Sequence, residues 1–515
     1  MKISKRILTV LLVFLMIFGS ITMMFVFTGC EKPPTCNGRP PIDMEINFLV
    51  ECSDTSWGRW SPCLNERSIE ISEWGDRILN TVDTAILERN MQIYDEIGAW
   101  INVRTRAHLT GLIDYITPLF ATGFSDYHVI SGSQFFSIDK VLGTGAGRFI
   151  NFNALTESEN QLQLDQPWWD SQRIETLTFD NVSWYITGHL SLSWVASMYV
   201  SIINRRLWDD NSAMIGTLTG GLTCIYDIVR AGLWTMDLLI DITNSIFTSL
   251  TGEETRRRGD TVGYLSRAGT GSTAGFALSV GAGVPYTTWQ NGRPQIGLSD
   301  QRAVDFADRI HTLYSDSLSF VANTNSFGEI FEIFREGNAL ITVGMLQSIE
   351  LFLVDEGFDD RLHIAPIPKL NAEQANHYTL LHDSVALFSI PIDHFGIIRD
   401  ITLVLDRMAQ LSYEIVYPAF NERTVMRIID QDYDNVREML RIARDGVYTC
   451  FNVVWVARVG LSLVVQFAGG HRIFAPGFGP LQNWNRNIAS LITDLSIAAQ
   501  TTALNMARAR REFIY

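Results

Sequence analysis

Few stretches of this 515-residue chain place reactive side chains at spacings that suit catalysis or metal binding. Asp430-Gln431-Asp432-Tyr433-Asp434 begins like a calcium loop, but Asn435 stands where such a loop needs glycine and Arg441 where it needs glutamate. The run reads instead as a carboxylate-rich helix N-terminus, where acidic groups meet the positive end of the backbone dipole. The nine histidines are scattered, HExxH does not occur, and His377 and His382 stand five apart, which suggests no metal face. Glycine-rich Gly143–Gly147 and Gly269–Gly271 lack the following Lys-Ser/Thr of a phosphate loop and the pattern of a dinucleotide site, so they read as turns. GxSxG is absent, and no spacing of Asp and Glu singles out a glycosidase pair. No metal, no cofactor and no catalytic residue is therefore expected. What remains is an aromatic content of 11% with 13 Trp, a set of rings able to pack on the C–H faces of sugars.

Localisation and charge narrow the class. Lys2, Lys5 and Arg6 precede an uncharged run from Ile7 to Phe27, closed by Thr28-Gly29-Cys30. This is the order of a secretory signal, and its end resembles a bacterial lipobox, with Phe27 in place of the usual leucine. The expectation is a lipid on Cys30, with 1–30 as signal peptide and an extracytoplasmic, membrane-anchored chain beyond it. An uncleaved membrane-spanning helix is the alternative, and it gives the same topology. Removing the three positive charges of the signal takes the formal −16 of the whole chain to −19. Nucleic acid is excluded as a partner, because phosphate binding relies on clustered Lys and Arg. Arg256-Arg257-Arg258 is a tight basic run that reads as a solvated loop. Cys52 and Cys63 flank a short loop, and a disulfide or two free thiols fit equally well.

The elements that position these groups alternate between strand and helix. Residues 31–43, rich in Pro and polar residues, read as a flexible tether. Met44–Val50 is an apolar strand candidate. Glu70–Ile101 carries Trp74, Ile78, Leu79, Val82 and Ile86 at helical spacing, and Leu109–Phe120 repeats the pattern. Tyr127–Gly132 reads as strand and loop. Thr235 reads as the N-cap of a helix with Asp237 in its first turn. Such alternation predicts an α/β fold with a parallel sheet, and the length predicts two lobes.

Pro167-Trp168-Trp169, the segment Tyr185–Ser193 (YITGHLSLS), Ser201–Leu207 (SIINRRL), Gly232–Asp237 (GLWTMD), Phe334–Gly344, Ile364–Lys369 (IAPIPK), Tyr417–Glu422 (YPAFNE) and Asn487–Ser490 follow one another in this order. Together they resemble the carbohydrate-type extracellular solute-binding lipoproteins of bacterial ABC importers, across roughly residues 44 to 510. His189 stands where that family has an acidic residue, and Arg205-Arg206 where it has lysine.

The resemblance implies a two-lobed periplasmic-binding-protein-like fold of type II with three inter-lobe crossings. The first lobe would hold 44–187 and 338–390, the second 188–337 and 391–515. It implies a non-enzymatic protein that captures a solute, a sugar or oligosaccharide, by lobe closure and hands it to ABC permease subunits. Candidate ligand contacts are the aromatics near the lobe junctions, Trp57, Trp184, Trp194, Tyr199, Tyr286, Trp289 and Tyr417. The loops after first-lobe strands add Ser53, Asp54, Ser131, Gly132, Gly344 and Met345, because ligands of α/β sheets sit beyond the carboxyl ends of strands. Trp168, Trp169 and Trp234 are assigned to packing. An anchored exported glycoside hydrolase, and a binding protein that feeds a sensor kinase, are the alternative readings.

Overall fold

The computed structural model describes residues 43–52, 81–107, 110–124, 126–134, 147–253, 256–267, 273–298, 300–322, 327–349, 361–428, 433–459 and 479–514. The signal, tether residues 31–42, Ser53, Asp54, Trp57, Cys63 and Asp430–Asp432 lie outside them. No helix among the described residues is long and apolar enough to cross a membrane.

The first sheet grows from β1 (Met44–Cys52), whose Ile46, Phe48, Leu49 and Val50 are all fully buried. Burial on both faces is the mark of a central parallel strand. Helix α1 (Thr81–Ile97) returns the chain to β2 (Ala99–Ala107), parallel to β1 with Met44 opposite Ala99. The helix predicted to run to Ile101 therefore stops earlier. Gly98, at φ 81°, breaks it, and Ala99 and Ile101 are buried in the strand. Helix α2 (Thr110–Thr122) leads to β3 (Val129–Ser133), parallel to β1 on its other side. After α3 (Ser171–Leu177) the chain leaves this sheet.

The second sheet starts at β4 (Tyr199–Asn204). Helix α4 (Met236–Ser245) is capped as its sequence predicts, with the Thr235 hydroxyl accepting from the backbone N–H of Leu238. The remaining strands are β5 (Phe247–Thr248), β6 (Thr261–Arg267), a separate hairpin β7 (Thr287–Gln290) and β8 (Arg293–Ile296), β9 (Phe320–Ala322), β10 (Ala339–Met345) and β11 (Leu362–Ala365). Helix α5 (Thr273–Gly281) follows β6. The order is β11-β4-β10-β6-β5, with β9 beside β6. Finally β12 (Ala386–Ser389) rejoins the first sheet antiparallel to β3, giving β12-β3-β1-β2.

Two expected lobe boundaries are thereby corrected. Strands β10 and β11 belong to the second sheet, because β10 is buried along nearly its whole length between β4 and β6 and β11 pairs with β4. Helix α6 (Ile398–Leu411), expected in the second lobe, buries Ile401, Val404, Leu405 and Met408 in the core of the first sheet. Its apolar face matches that sheet rather than the other. The chain then crosses through a π-helical turn, Ser412–Val416, into α7 (Tyr417–Ile428) and α8 (Tyr433–Asp445), which packs on β11. The last helix, α9 (Gly479–Ile514), buries Leu491 and Leu495 in the larger core and Met506 and Ala509 in that of the first sheet.

Trp168, Trp169 and Trp234 are packing residues, as their positions predict. The Trp234 indole donates to Pro366 O at 2.9 Å. Both other indoles donate to Asp406 Oδ1, Trp169 at 2.9 Å and Trp168 at 3.3 Å, and the Gln163 N–H joins them at 2.9 Å. Asp406 on α6 is 4% exposed and so ties the loop before α3 to the first lobe. Replacing Asp406 with Asn turns one carboxylate oxygen into a donor and weakens the acceptor that two buried indoles and the Gln163 N–H share. Stability should fall by about 2 kcal/mol. Urea unfolding of Asp406→Asn checks this, and an unchanged midpoint would contradict the assigned role.

Candidate functional site

The two sheets meet at the crossing segments. Residues 186–199 and 380–388 run antiparallel: Ile186 and Phe388 exchange backbone hydrogen bonds at 3.0 and 2.9 Å, Tyr199 N–H donates to Leu380 O at 3.0 Å, and His382 N–H donates to Ser197 O at 3.0 Å. The carboxyl end of β3 reaches this ribbon from one side, with Gln134 N–H on Val385 O at 2.8 Å. The carboxyl end of β10 reaches it from the other, with Leu346 N–H on Met198 O at 2.8 Å. Strand ends from both sheets therefore border one floor, the position where α/β sheets bind ligands.

One half of that floor centres on Tyr199, the first residue of β4, with Met345 opposite it. The Tyr199 hydroxyl donates to Thr273 Oγ1 at the start of α5, and its ring lies 6.1 Å from that of His382. Burial raises the phenol, the Asp383 carboxylate adds to the rise, and the Arg267 guanidinium opposes it. Ser197 and Ser384 hydroxyls meet at 2.9 Å beside them. Arg267 ends β6 and is 6% exposed, so burial lowers its guanidinium below the usual range. This half thus gathers hydroxyls, an imidazole, a carboxylate and a guanidinium, the groups that read sugar hydroxyls.

The other half is aromatic. His189 lies among Trp194, Tyr413 and Tyr417, with ring centroids 4.9, 5.0 and 5.0 Å away. Tyr413 sits in the π-helical turn and Tyr417 four residues on, their rings nearly parallel at 9°. Such turns often mark functional positions. Arg89 on α1 holds this one by donating from Nη1 to Ser412 Oγ at 2.9 Å. Its complete burial lowers the guanidinium to about 9. Behind Trp194 lies a buried polar chain. Asp170 Oδ2 accepts from the Trp194 indole at 2.9 Å and from Arg173 Nε at 3.1 Å, and Arg173 Nη1 donates to Gln134 Oε1 at 2.6 Å. This chain joins the crossing to the end of β3.

Trp194, Tyr199, Met345 and Tyr417 are thus brought to the crossings. Trp184 is core: it is fully buried and its indole donates to Thr502 on α9 at 2.9 Å. Tyr286 is also core, bonded to the Ser279 hydroxyl. Gly344 serves packing, since a Cβ there would meet Phe331 at 3.2 Å. Ser131 and Gly132 are interior to β3, opposite Val50 and Leu387. Trp289 is 62% exposed on the β7–β8 hairpin, its ring edge against Phe451. Sequence reasoning missed Arg267, Asp383, Tyr413 and the Asp170–Arg173 pair. The helical spacing of Tyr413 and Tyr417 was the one available signal, and it does not distinguish a lining face from a core face.

No family model matches the chain, and no curated protein matches it in sequence. Solved structures do match in fold. A cyclo/maltodextrin-binding protein complexed with maltotetraose superposes with a TM-score of 0.51 at 12% identity, over 89% of this chain and 98% of that one. A maltose-binding periplasmic protein from Listeria monocytogenes, in complex with maltose, gives 0.52 at 11% identity, over 88% and 98%. The GacH receptor of Streptomyces glaucescens gives 0.50 at 11% identity, over 88% and 99%. The fold is the two-lobed periplasmic-binding-protein-like fold of type II, as the sequence resemblance implies.

Proposed function

We propose that this protein is an extracytoplasmic solute-binding protein that captures a sugar or oligosaccharide between its lobes and delivers it to the permease of an ABC importer. The reading rests foremost on the floor formed by the crossings, where Tyr199, Arg267, Asp383 and the Trp194–Tyr417 group gather in a fold shared with sugar-binding structures. A ligand that touches both sheet ends favours the closed arrangement by its extra contacts there, and hinge closure follows from that difference. The protein acts by binding and release, without turnover. A lipid on Cys30 would hold it at the membrane beside the permease, which other chains would form together with an ATPase.

A thermal-shift screen with maltose, maltotetraose and other saccharides tests this, with peptides as controls. A micromolar ligand supplied at millimolar concentration should add about 4 kcal/mol. Stabilisation by a saccharide, with chromatography showing no product, is the expected result. Release of shorter sugars would favour a hydrolase, and stabilisation by peptides alone would move the solute to another class.

A further inference from the structure

Beyond the crossings, residues 446–459 tie the two lobes together once more. They follow α8 and turn through two short helices, Phe451–Val454 and Val456–Val459. The second lobe holds their first half. Tyr448 N–H donates to Thr379 O at 2.9 Å, and Asn452 Nδ2 donates to Tyr286 O at 2.8 Å and to Gln295 O at 3.1 Å. The first lobe holds the residues that come next. Val454 O accepts from Gln134 Nε2 at 2.9 Å, and the Trp455 indole donates to Thr176 O in the last turn of α3 at 3.2 Å. Gln134 directly follows β3, so its amide stands at the carboxyl end of a first-lobe strand, where a solute is expected. The chain's own backbone takes that amide instead, and Gln134 is buried.

A permanent core contact satisfies its polar groups. This one leaves several unmade. Arg173 Nη2, Thr379 Oγ1, Thr449 Oγ1 and Asn452 Oδ1 are buried without a hydrogen-bond partner among the described residues. All four lie in the strap or on residues bonded to its seat: Arg173 donates to the Gln134 amide, and Thr379 accepts from Tyr448. Arg173 also connects the seat to the floor. Burial lowers its guanidinium, and the charges of Asp170 and of the floor residue Asp383 oppose that. Lifting the strap from the first lobe breaks the bonds from Gln134 and Trp455, and it opens Arg173 Nη2 and the Gln134 amide to new partners. The unmade bonds offset part of that loss, so the seated and lifted states lie closer in free energy than a fully satisfied contact would allow.

We propose that residues 450–459 form an autoinhibitory strap: seated, they occupy the Gln134 amide and close the first-lobe end of the floor, and their release admits the solute there. The assignment rests on the solute-binding reading above. While the strap is seated, its own carbonyl competes with the solute for Gln134. The affinity measured is then the intrinsic affinity reduced by the fraction of molecules whose strap is lifted. Weakening the seat without touching the floor therefore tightens binding.

Hydrogen–deuterium exchange of the purified, solute-free protein, read by mass spectrometry at several low urea concentrations, is the first test. The amides of Val454 and Trp455 donate to Cys450 O and Phe451 O at 2.9 Å. They should exchange through a local opening that low urea barely changes, at least about tenfold faster than the amides of β1. Exchange at the rate and urea dependence of β1 would mean that the strap opens only when the whole protein unfolds, and the proposal would be overturned. Trp455→Phe keeps an aromatic ring and loses the bond to Thr176. It should speed strap exchange about fivefold relative to β1, and calorimetry should show maltotetraose bound about fivefold more tightly than by the parent. A parent that binds maltotetraose, with a Trp455→Phe variant that binds it no more tightly, also overturns the strap while the transport reading stands. If neither binds any saccharide screened, the saccharide reading falls, and the exchange rates alone uphold or overturn the strap.

Discussion

Lowering the pH from 7 to 4 should strip this protein of much of its stability, and the loss should begin near pH 6.5, above the range where most carboxylates titrate. Three imidazoles are held at about 4 in the folded protein: His128, His189 and His377. Burial is the leading cause for each. The neighbouring His394 ring, 4.5 Å away, adds to it for His128. For His128 the hydrogen bonding requires the uncharged form, since Nδ1 accepts from Asn47 N–H at 3.0 Å, whereas for His377 the donation from Nδ1 to Ile367 O at 2.8 Å favours the charged ring and burial outweighs it. In the unfolded chain these rings titrate at about 6.5.

A folded pKa depressed below its unfolded value means that the unfolded state takes up protons first as the pH falls. The full stability is therefore present above about 6.5 and drains away as the pH descends toward 4. Each ring can contribute at most about 3 kcal/mol. Water reaches the half-buried His128 and His377, which lowers their share. Half the combined ceiling, about 5 kcal/mol, is still comparable to the entire stability of many domains. Urea unfolding at pH 7.5, 6.0 and 5.0 measures it directly. A free energy that stays level down to pH 5 would remove the argument, and replacing His377 with Gln should flatten the slope in proportion.

Gly188→Ala should be the most damaging single substitution in the crossings. Gly188 adopts φ 153°, a conformation L side chains rarely take. An added Cβ would lie 2.4 Å from Trp168 O and 2.8 Å from Trp169 Cα. Both are backbone atoms, and they have little room to yield. Trp168 O accepts from His189 N–H, Asp170 N–H donates to Thr187 O at 3.0 Å, and the two preceding indoles are bound to Asp406. Relieving the clash means separating the loop before α3 from the first crossing, and about 4 kcal/mol is the expected loss. Because His189 follows directly, the aromatic half of the floor shifts as well, and saccharide affinity should fall together with stability. A Gly188→Ala variant that unfolds at the parental urea concentration would show that the crossing is looser than its contacts indicate.

Much of this protein was legible in its sequence for local reasons. Ile46 and the apolar run Phe48–Val50 of β1 mark a strand. The Thr235 cap and the turn of α4 that follows depend on residues three apart. The order of short motifs from Pro167 to Ser490 carries the topology as a whole, because each motif closes a turn or ends an element in a fixed succession. Lobe membership was not legible in the same way. The apolar faces of β10 and α6 state that these elements are buried without stating against which sheet. β10 joins the second because β4 and β6 flank it there, and α6 joins the first because its face fits that sheet's core.

The floor between the lobes belongs to the same category. Arg267 and Asp383 look like an ordinary strand end and an ordinary loop residue until the sheets turn their carboxyl ends toward one ribbon. His189 meets Tyr413 and Tyr417 only because the first and third crossings run side by side. Sequence by itself determined which segments become strands and helices and the order in which they follow, since propensity, caps and periodicity act over a few neighbouring residues. Tertiary structure alone decided which sheet each buried face covers and which polar and aromatic groups share the floor, because packing and hydrogen-bond satisfaction are settled between residues far apart in the chain.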